Sequence, residues 1–398
     1  MKDPLFTGRR ICLDQAATSF PKPPCVANAV MEYMTNIGSN VSRSSYASAY
    51  EAEDTVLETR ELLCSLFGWD DPAGVIFTPN ITASLNWILK GLLMPGDHVL
   101  VTSMEHNAVM RPLVQLSSKG ITFDRIPCDR DGCPDLHSLP GLIKPQTKML
   151  VCLHASNVNG AVMPLEAFGS FCRSHSLIFV VDTAQSAGRC RLDMKALNIG
   201  CLAFTGHKGL LGPQGIGGFI LSKELALQMD PLISGGTGSF SHTELIPKVL
   251  PDRLEAGTLN LPGVYGLNAA LKWIRETGCE TIFDHEYALF RKLREGFETI
   301  KGVRVIGCPE GSAQKPMPVL SIQTPGRDIA LVSALLDEQA GIQTRVGLHC
   351  APSAHRTLGT FPEGTIRFSP GFYNTDDEIG TCIRALEQVL DQVPLKND

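Results

Sequence analysis

The sequence predicts an α/β fold, with a large domain on a mostly parallel sheet followed by a smaller C-terminal α/β domain. Three observations predict it. Short runs rich in β-branched and aromatic residues alternate with longer helix-like segments through the middle of the chain, as in strands joined by crossover helices. A chain of 398 residues exceeds what a single core usually serves. After about residue 260 the pattern changes to two long helical stretches and a second set of short strands.

In chain order, Val75-Ile-Phe-Thr reads as a strand and Ala83-Ser-Leu-Asn-Trp-Ile-Leu-Lys-Gly-Leu-Leu as the helix after it. Pro95-Gly-Asp is a turn leading into the strand His98-Val-Leu-Val-Thr. Lys148-Met-Leu-Val-Cys-Leu-His, residues 177–181, residues 201–205 and Gly218-Phe-Ile-Leu-Ser continue the series. Helices near 264–277 and 283–300 come next, then strands at Val303-Arg-Val-Ile and Val319-Leu-Ser-Ile. A helix near 329–340, a strand at Thr365-Ile-Arg-Phe-Ser and a helix at 376–390 complete the chain. The expected division is a segment 1–20 associated with the smaller domain, a large domain 21–260 and a small domain 261–398.

Composition excludes several classes of function. Hydrophobic residues make up 43% and charged residues 19%, as in an ordinary globular protein. The formal charge is −6 and no basic run is present, so neither nucleic acid nor a membrane surface is an expected partner. No apolar run approaches the roughly 20 residues that span a bilayer, and the N-terminus lacks the apolar core of a signal peptide. Thirteen scattered cysteines fit free thiols in a reducing cytoplasm better than a disulfide framework. There is no Cys-x-x-Cys pair, and Cys128 and Cys133 have no second pair at finger-like spacing, so no metal is expected.

The chemistry-bearing residues fall just past strand ends, where ligands bind in open α/β sheets. The strand at 201–205 ends at Thr205, and His207 and Lys208 follow on its exit. The strand at 177–181 runs straight into Asp182, with Gln185 three residues further on. A lysine that can form an imine and a carboxylate that can pair with a pyridine nitrogen are what pyridoxal 5′-phosphate (PLP) needs from a protein. Gln185, or Asn157 in His154-Ala-Ser-Asn-Val-Asn-Gly, is placed to hydrogen-bond the ring's phenolic oxygen. His106, after the strand at 98–102, is placed to stack on the ring and move protons. Backbone N–H groups at Ile81 and Thr82, with the Thr82 hydroxyl, open a helix and make a phosphate site.

Singly, each group has an ordinary explanation: Asp182 as a cap or turn residue, His106 as a loop histidine, Lys208 as a solvated lysine. Their convergence on strand exits is what points to a cofactor. Leu211-Gly-Pro-Gln-Gly-Ile-Gly-Gly lacks the Gly-Lys-Ser/Thr of a P-loop and precedes a strand rather than a helix. Gly235-Gly-Thr-Gly-Ser misses the last glycine of a dinucleotide fingerprint.

These residues resemble those of the class V, fold-type I PLP enzymes, and within them the cysteine desulfurases and selenocysteine lyases. The resemblance runs nearly end to end. It covers Leu13-Asp-Gln-Ala-Ala-Thr-Ser, Glu105-His-Asn-Ala, Ser156-Asn-Val-Asn-Gly, Asp182-Thr-Ala-Gln-Ser and Thr205-Gly-His-Lys. It continues through Arg253-Leu-Glu-Ala-Gly-Thr, Arg345-Val-Gly-Leu-His-Cys-Ala and Arg367-Phe-Ser. The fold it implies is the aspartate aminotransferase-like PLP-dependent transferase fold. It further implies that Lys208 carries PLP covalently and that Thr205 and His207 join Thr82 at the phosphate. Thr258 would reach the phosphate of the other subunit of a homodimer. Arg367 would bind the substrate carboxylate, with Arg345 and Asn157 assisting, and Cys350 would accept sulfur as a persulfide. The implied substrate is L-cysteine or L-selenocysteine, passed on to a sulfur- or selenium-acceptor protein. Iron–sulfur cluster biogenesis is a process that such transfer feeds.

Chemistry supports Cys350 independently, since neighbouring cations lower a thiol pKa. His349, Arg345 and His355 are the candidate cations, on a segment bounded by Gly347 and Pro352. The chain departs from the family pattern at Gln15 (usually Asn), Ser42 (commonly His), residues 80–83 and Leu348 (often His). The short separation of Cys350 from Arg367 resembles the type II subgroup. The leading reading is L-cysteine desulfuration through Cys350. Beside it stand selenocysteine β-elimination, a class V aminotransferase with no need of Cys350, and a catalytically silent scaffold that binds a sulfur- or selenium-handling partner.

Overall fold

Side chains alternate across a strand, so a strand buried on both faces needs apolar residues at every position. The chain supplies such strands repeatedly. The structure, a computed structural model, describes residues 8, 10–41, 45–307 and 314–395. Ser42 lies outside the described residues. After a short β1 (Ile11–Cys12) come β2 (Val75–Thr78), β3 (His98–Thr102), β4 (Thr122–Ile126) and β5 (Thr147–Leu153). β6 (Ile178–Asp182), β7 (Cys201–Thr205) and β8 (Gly217–Leu221) complete the main sheet, whose seven strands run in the order β2-β8-β7-β6-β5-β3-β4. β8 is antiparallel to both its neighbours, and every other pairing is parallel. The connection 206–216 holds no crossover helix, so β8 turns straight back along β7.

Helices cover both faces. They are α1 (Pro24–Glu32), α2 (Ala47–Phe67), α3 (Ile81–Leu92), α4 (Asn107–Ser117), the short α5 (Leu139–Leu142), α6 (Leu165–Ser174), α7 (Lys223–Gln228) and α8 (Leu261–Thr277). On one face Phe67 of α2, Phe168 of α6 and Val264 of α8 pack with Leu150, Val181, Leu202 and Phe204. The alternate residues Val151, Val180 and Ala203 face Leu85 and Ile88 of α3 and Val109 and Leu113 of α4.

The second domain begins within α9 (Cys279–Thr299). Its elements are β9 (Arg304–Ile306), β10 (Leu320–Gln323), α10 (Ile329–Ala340), β11 (Ile342–Gln343), β12 (Arg345–Gly347), α11 (Pro352–Thr357), β13 (Thr365–Phe368) and α12 (Asp376–Gln392). Four of its strands form an antiparallel sheet in the order β12-β13-β10-β9. β1 pairs in parallel with β11, which ties the N-terminus to this domain.

The expected boundary at residue 260 is displaced. Val264, Leu267, Leu271 and Ile274 of α8 belong to the large core, as do Cys279 and Ile282 at the start of α9. Leu289, Phe290, Leu293 and Phe297, later in α9, belong to the small one. The cores therefore change hands inside α9, because its apolar stripe packs first on one domain and then on the other. α11 makes the reverse crossing: Ala351, Ala354 and Leu358 pack into the large core.

A buried ion pair marks the junction. Arg189, in the loop after β6, donates its Nε–H to Glu286 of α9 at 2.5 Å, with side-chain exposures of 5% and 2%. Its Nη1 also donates to the carbonyl of Gln185 at 3.2 Å. Removing one partner of such a pair leaves an uncompensated buried charge. Glu286→Ala is expected to destabilise the fold by about 3–5 kcal/mol, measured as a lowered denaturant midpoint; an unchanged midpoint would show the pair to be dispensable.

Candidate active site

The carboxyl ends of β3, β5, β6 and β7 open on one edge of the sheet. Asp182 ends β6, and its register partner Leu153 ends β5. His106 precedes α4 as its N-cap and accepts the Ala108 N–H on Nδ1 at 3.0 Å. Lys208 stands three residues beyond β7. A cavity of about 530 Å³ lies between these ends, lined by Asn80, Ile81, Thr82, His106, Asn157, Asp182, Gln185, Thr205, His207 and Lys208. Glycine at 209 is required for this placement, since a Cβ there would run into the carbonyl oxygen of Ala187.

The floor of the cavity is short of partners. Asp182 is 4% exposed, and its Oδ1 accepts the Ala184 N–H at 2.8 Å. Burial pushes its carboxyl above the ordinary range, against the opposing pull of Lys208. The amide nitrogens of Asn157 and Gln185 donate to the carbonyls of His349 at 2.7 Å and Ala16 at 3.0 Å. Their amide oxygens, and the Thr205 hydroxyl, are buried without a hydrogen-bond partner among the described residues. At the cavity's end Asn80 caps α3 through the Ala83 N–H at 3.0 Å. The N–H groups of Ile81 and Thr82 carry no hydrogen bond within the described residues, as an anion-binding helix start requires.

Burial and clustered cations set the charges. The Lys208 amine is lowered to about 8, first by burial and then by Arg367, Arg189 and Arg345, with Asp182 opposing. His106 is lowered to about 4 by burial and by Lys208, so it is neutral at physiological pH. Because Nδ1 accepts a backbone N–H, its proton sits on Nε2. In this tautomer His106 offers a proton rather than taking one. His207 is likewise lowered to about 4 by burial and by Lys208 and Lys22, and its Nδ1 lies 3.1 Å from the Thr18 hydroxyl.

The other expected residues stand outside the cavity wall. Arg367 on β13 is 2% exposed; Nη2 pairs with Asp14 at 2.6 Å, Nη1 donates to the Asn157 carbonyl at 3.0 Å, and Nε has no partner among the described residues. Arg345 is its register partner on β12 and is exposed. Cys350 is exposed, and its carbonyl accepts the Asn107 N–H at 2.8 Å. Thr258 is exposed and lines a separate cavity of about 600 Å³ with Arg60, Glu255 and Gly236.

One expectation is overturned. His349 and His355 are not cations: burial lowers them to about 2 and about 4, leaving Arg345 alone among the three expected charges. Two residues without an assigned role emerge. Asp14 fixes the Arg367 guanidinium, and its place in the Leu13-Asp-Gln motif is the only sequence signal for it. Glu105 is fully buried and accepts from the Thr102 hydroxyl at 2.6 Å and the Leu153 N–H at 3.1 Å. Burial raises its carboxyl to about 8, so it stays protonated and joins the ends of β3 and β5.

Known proteins share this chain's sequence pattern and fold. The family described as Aminotransferase class-V matches residues 11–381. A probable cysteine desulfurase of Pyrococcus abyssi is 32% identical over 98% of this chain and 96% of its own length. Cysteine desulfurase CsdA of Escherichia coli is 30% identical over 98% and 96%. The apo structure of a cysteine desulfurase from Thermococcus onnurineus NA1 superposes with a TM-score of 0.89 at 31% identity, covering 98% of this chain and 97% of that one.

A lysine titrating near 8 is a free amine over much of the range where ordinary lysines are charged. Reductive methylation of cofactor-free protein near pH 8 is expected to label Lys208 faster than its burial alone would allow. A peptide map in which labelling simply follows solvent exposure would contradict the lowered value.

Proposed function

This chain belongs to the class-V aminotransferase family and is a cysteine desulfurase, and from that premise we propose how its own residues carry the reaction. The family is PLP-dependent, and the cavity fits that group. Asp182 is a buried carboxylate suited to a protonated ring nitrogen. The partnerless amide and hydroxyl groups of Asn157, Gln185 and Thr205 suit polar ring substituents, and the free N–H groups of Ile81 and Thr82 suit a phosphate. Lys208 would hold the cofactor, His106 would flank its ring, and Thr205 and His207 would stand with Thr82 near the phosphate. When bound, PLP supplies an electron sink that makes the substrate Cα–H acidic and weakens the Cβ–S bond.

The protein's part is positioning and proton handling. Arg367, its guanidinium oriented by Asp14, receives the substrate carboxylate, with Arg345 on the adjacent strand adding positive charge. Nζ of Lys208, lowered to about 8, takes the proton from Cα. His106 donates its Nε2–H toward the substrate sulfur. Sγ of Cys350, as the thiolate, bonds to that sulfur as the Cβ–S bond breaks; Cβ takes up a proton equivalent to the one the thiol gave up, and Lys208 returns its proton to Cα. The products are L-alanine and a Cys350 persulfide, and the exposed Cys350 offers its outer sulfur to an acceptor protein.

A homodimer is part of this reading. The segment before Thr258 carries Leu232, Ile233, Leu245, Ile246 and Val249 exposed, an apolar patch suited to a second copy. In that assembly Thr258 serves the phosphate of the other subunit. No helix among the described residues is long and apolar enough to cross a membrane. The described cysteines are free, which supports a reducing, cytoplasmic setting.

The observation that carries the reading is the pairing of Lys208 with Asp182 at adjacent strand exits, with the Cys350 backbone tied to the helix that His106 caps. Borohydride trapping is expected to fix PLP on Lys208. Cys350→Ala is expected to keep the PLP absorbance and lose more than about 100-fold in alanine release from L-cysteine, as when a nucleophile is removed. Unchanged turnover would remove Cys350 from the mechanism. Retained turnover of L-selenocysteine alone would assign the enzyme to selenium.

A further inference from the structure

The segment carrying Cys350 holds a strained backbone. His349 and Cys350 have φ of 47° and 57°, a left-handed conformation that residues with a β-carbon disfavour. Two such residues in a row persist only where the surroundings hold them. Both carbonyls are held by the large domain, His349 by the Asn157 amide at 2.7 Å and Cys350 by the Asn107 N–H at 2.8 Å.

The side chain of His349 makes a third tie. The imidazole is 5% exposed, and its Nε2 lies 2.9 Å from the Thr365 hydroxyl. That hydroxyl lies 3.0 Å from the Ser321 hydroxyl, which donates to the Val158 carbonyl at 2.6 Å. The terminal carbonyl can only accept, so it orients the whole chain. Ser321 donates to Val158, Thr365 donates to Ser321, and His349 donates Nε2–H to Thr365. The chain thus starts beside the thiol and ends one residue from Asn157, whose own amide grips the His349 carbonyl.

We propose that His349 is a positioning residue for sulfur transfer: through Thr365 and Ser321 it fixes the left-handed turn that presents the Cys350 thiol. The proposal deepens the reading above, in that it takes Cys350 as the sulfur acceptor. A role as a charged neighbour of the thiol is closed to His349, because burial keeps its ring neutral. A role as proton donor to substrate is closed as well, because its N–H is engaged with Thr365.

The test uses PLP-loaded His349→Ala, His349→Asn and Thr365→Val, with Cys350→Ala as reference. His349→Ala is expected to lower kcat for L-cysteine by roughly 10- to 100-fold with KM unchanged, the scale of a misplaced reacting group. Thr365→Val, nearly isosteric, removes one hydrogen bond and is expected to lower kcat by roughly 2- to 10-fold. Both should speed amide hydrogen exchange across residues 344–358, with β3 unaffected as a control for folding. Asparagine tolerates the left-handed region and keeps a polar side chain, so His349→Asn should recover most of the lost kcat. Unchanged kcat and exchange in His349→Ala, with Cys350→Ala inactive, would overturn this inference alone. A kcat loss that His349→Asn does not relieve, with Thr365→Val silent, would overturn it in favour of direct chemistry by the ring. Full activity of Cys350→Ala would instead overturn the reading on which it rests.

Discussion

A carboxylate taken out of water needs a positive partner, and the end of β6 buries Asp182 without one in ion-pair contact among the described residues. The surrounding arrangement answers that deficit. Lys208 lies near enough to favour the charged carboxylate but makes no ion pair with it. Arg367, Arg189 and Arg345 crowd Lys208, and burial together with Lys208 itself keeps the His106 and His207 imidazoles neutral. The site therefore has an acidic floor, uncharged flanking rings and a positive approach. It suits a ligand with a cationic ring nitrogen at one end and anionic groups at the other. An acidic floor and a helix start with unbonded N–H groups are two halves of one specification.

The two cores are joined so that the site spans both. The large domain supplies the strand exits, while β12 and β13 of the small domain bring Arg345 and Arg367 to them. α9 begins in one core and finishes in the other, and α11 returns from the small domain to pack on the large one. The segment holding Cys350 is thus anchored between β12, which carries Arg345, and α11, which packs on the large core. The buried Arg189–Glu286 pair spans the same junction and supports the backbone of Gln185.

The buried strands β2, β3 and β5 to β8 are legible because such strands read as continuous apolar runs, and a polar residue that ends such a run stands out; β4, with only Ile126 buried, is not legible this way. Asp182 stands out as such a residue, and Lys208 and His106 lie on the exits just past such runs. α1, α2, α4 and α6 are not read from the sequence; α2 carries Glu51, Glu53, Asp54 and Glu58 among its apolar residues, which weakens its periodicity. The placement of α8 was equally hidden: an amphipathic stripe shows that a helix packs, not on which core. Histidine charge is hidden from the sequence for a related reason. The sequence shows His349 and His355 beside a cysteine, but only the fold shows them buried, and burial decides whether they carry a proton. The Arg367–Asp14 pair joins residues 353 positions apart, a distance no local pattern reports.

That last pair bears on turnover. With Arg367 in its proposed role, its guanidinium meets each amino acid already sharing charge with a resident counter-ion. L-alanine presents the same carboxylate as L-cysteine, so an unshared arginine would grip the spent molecule as firmly as the fresh one. Equal hold on both contributes nothing to the chemical step. In that role, an Arg367 that shares its charge with Asp14 would hold both molecules less tightly.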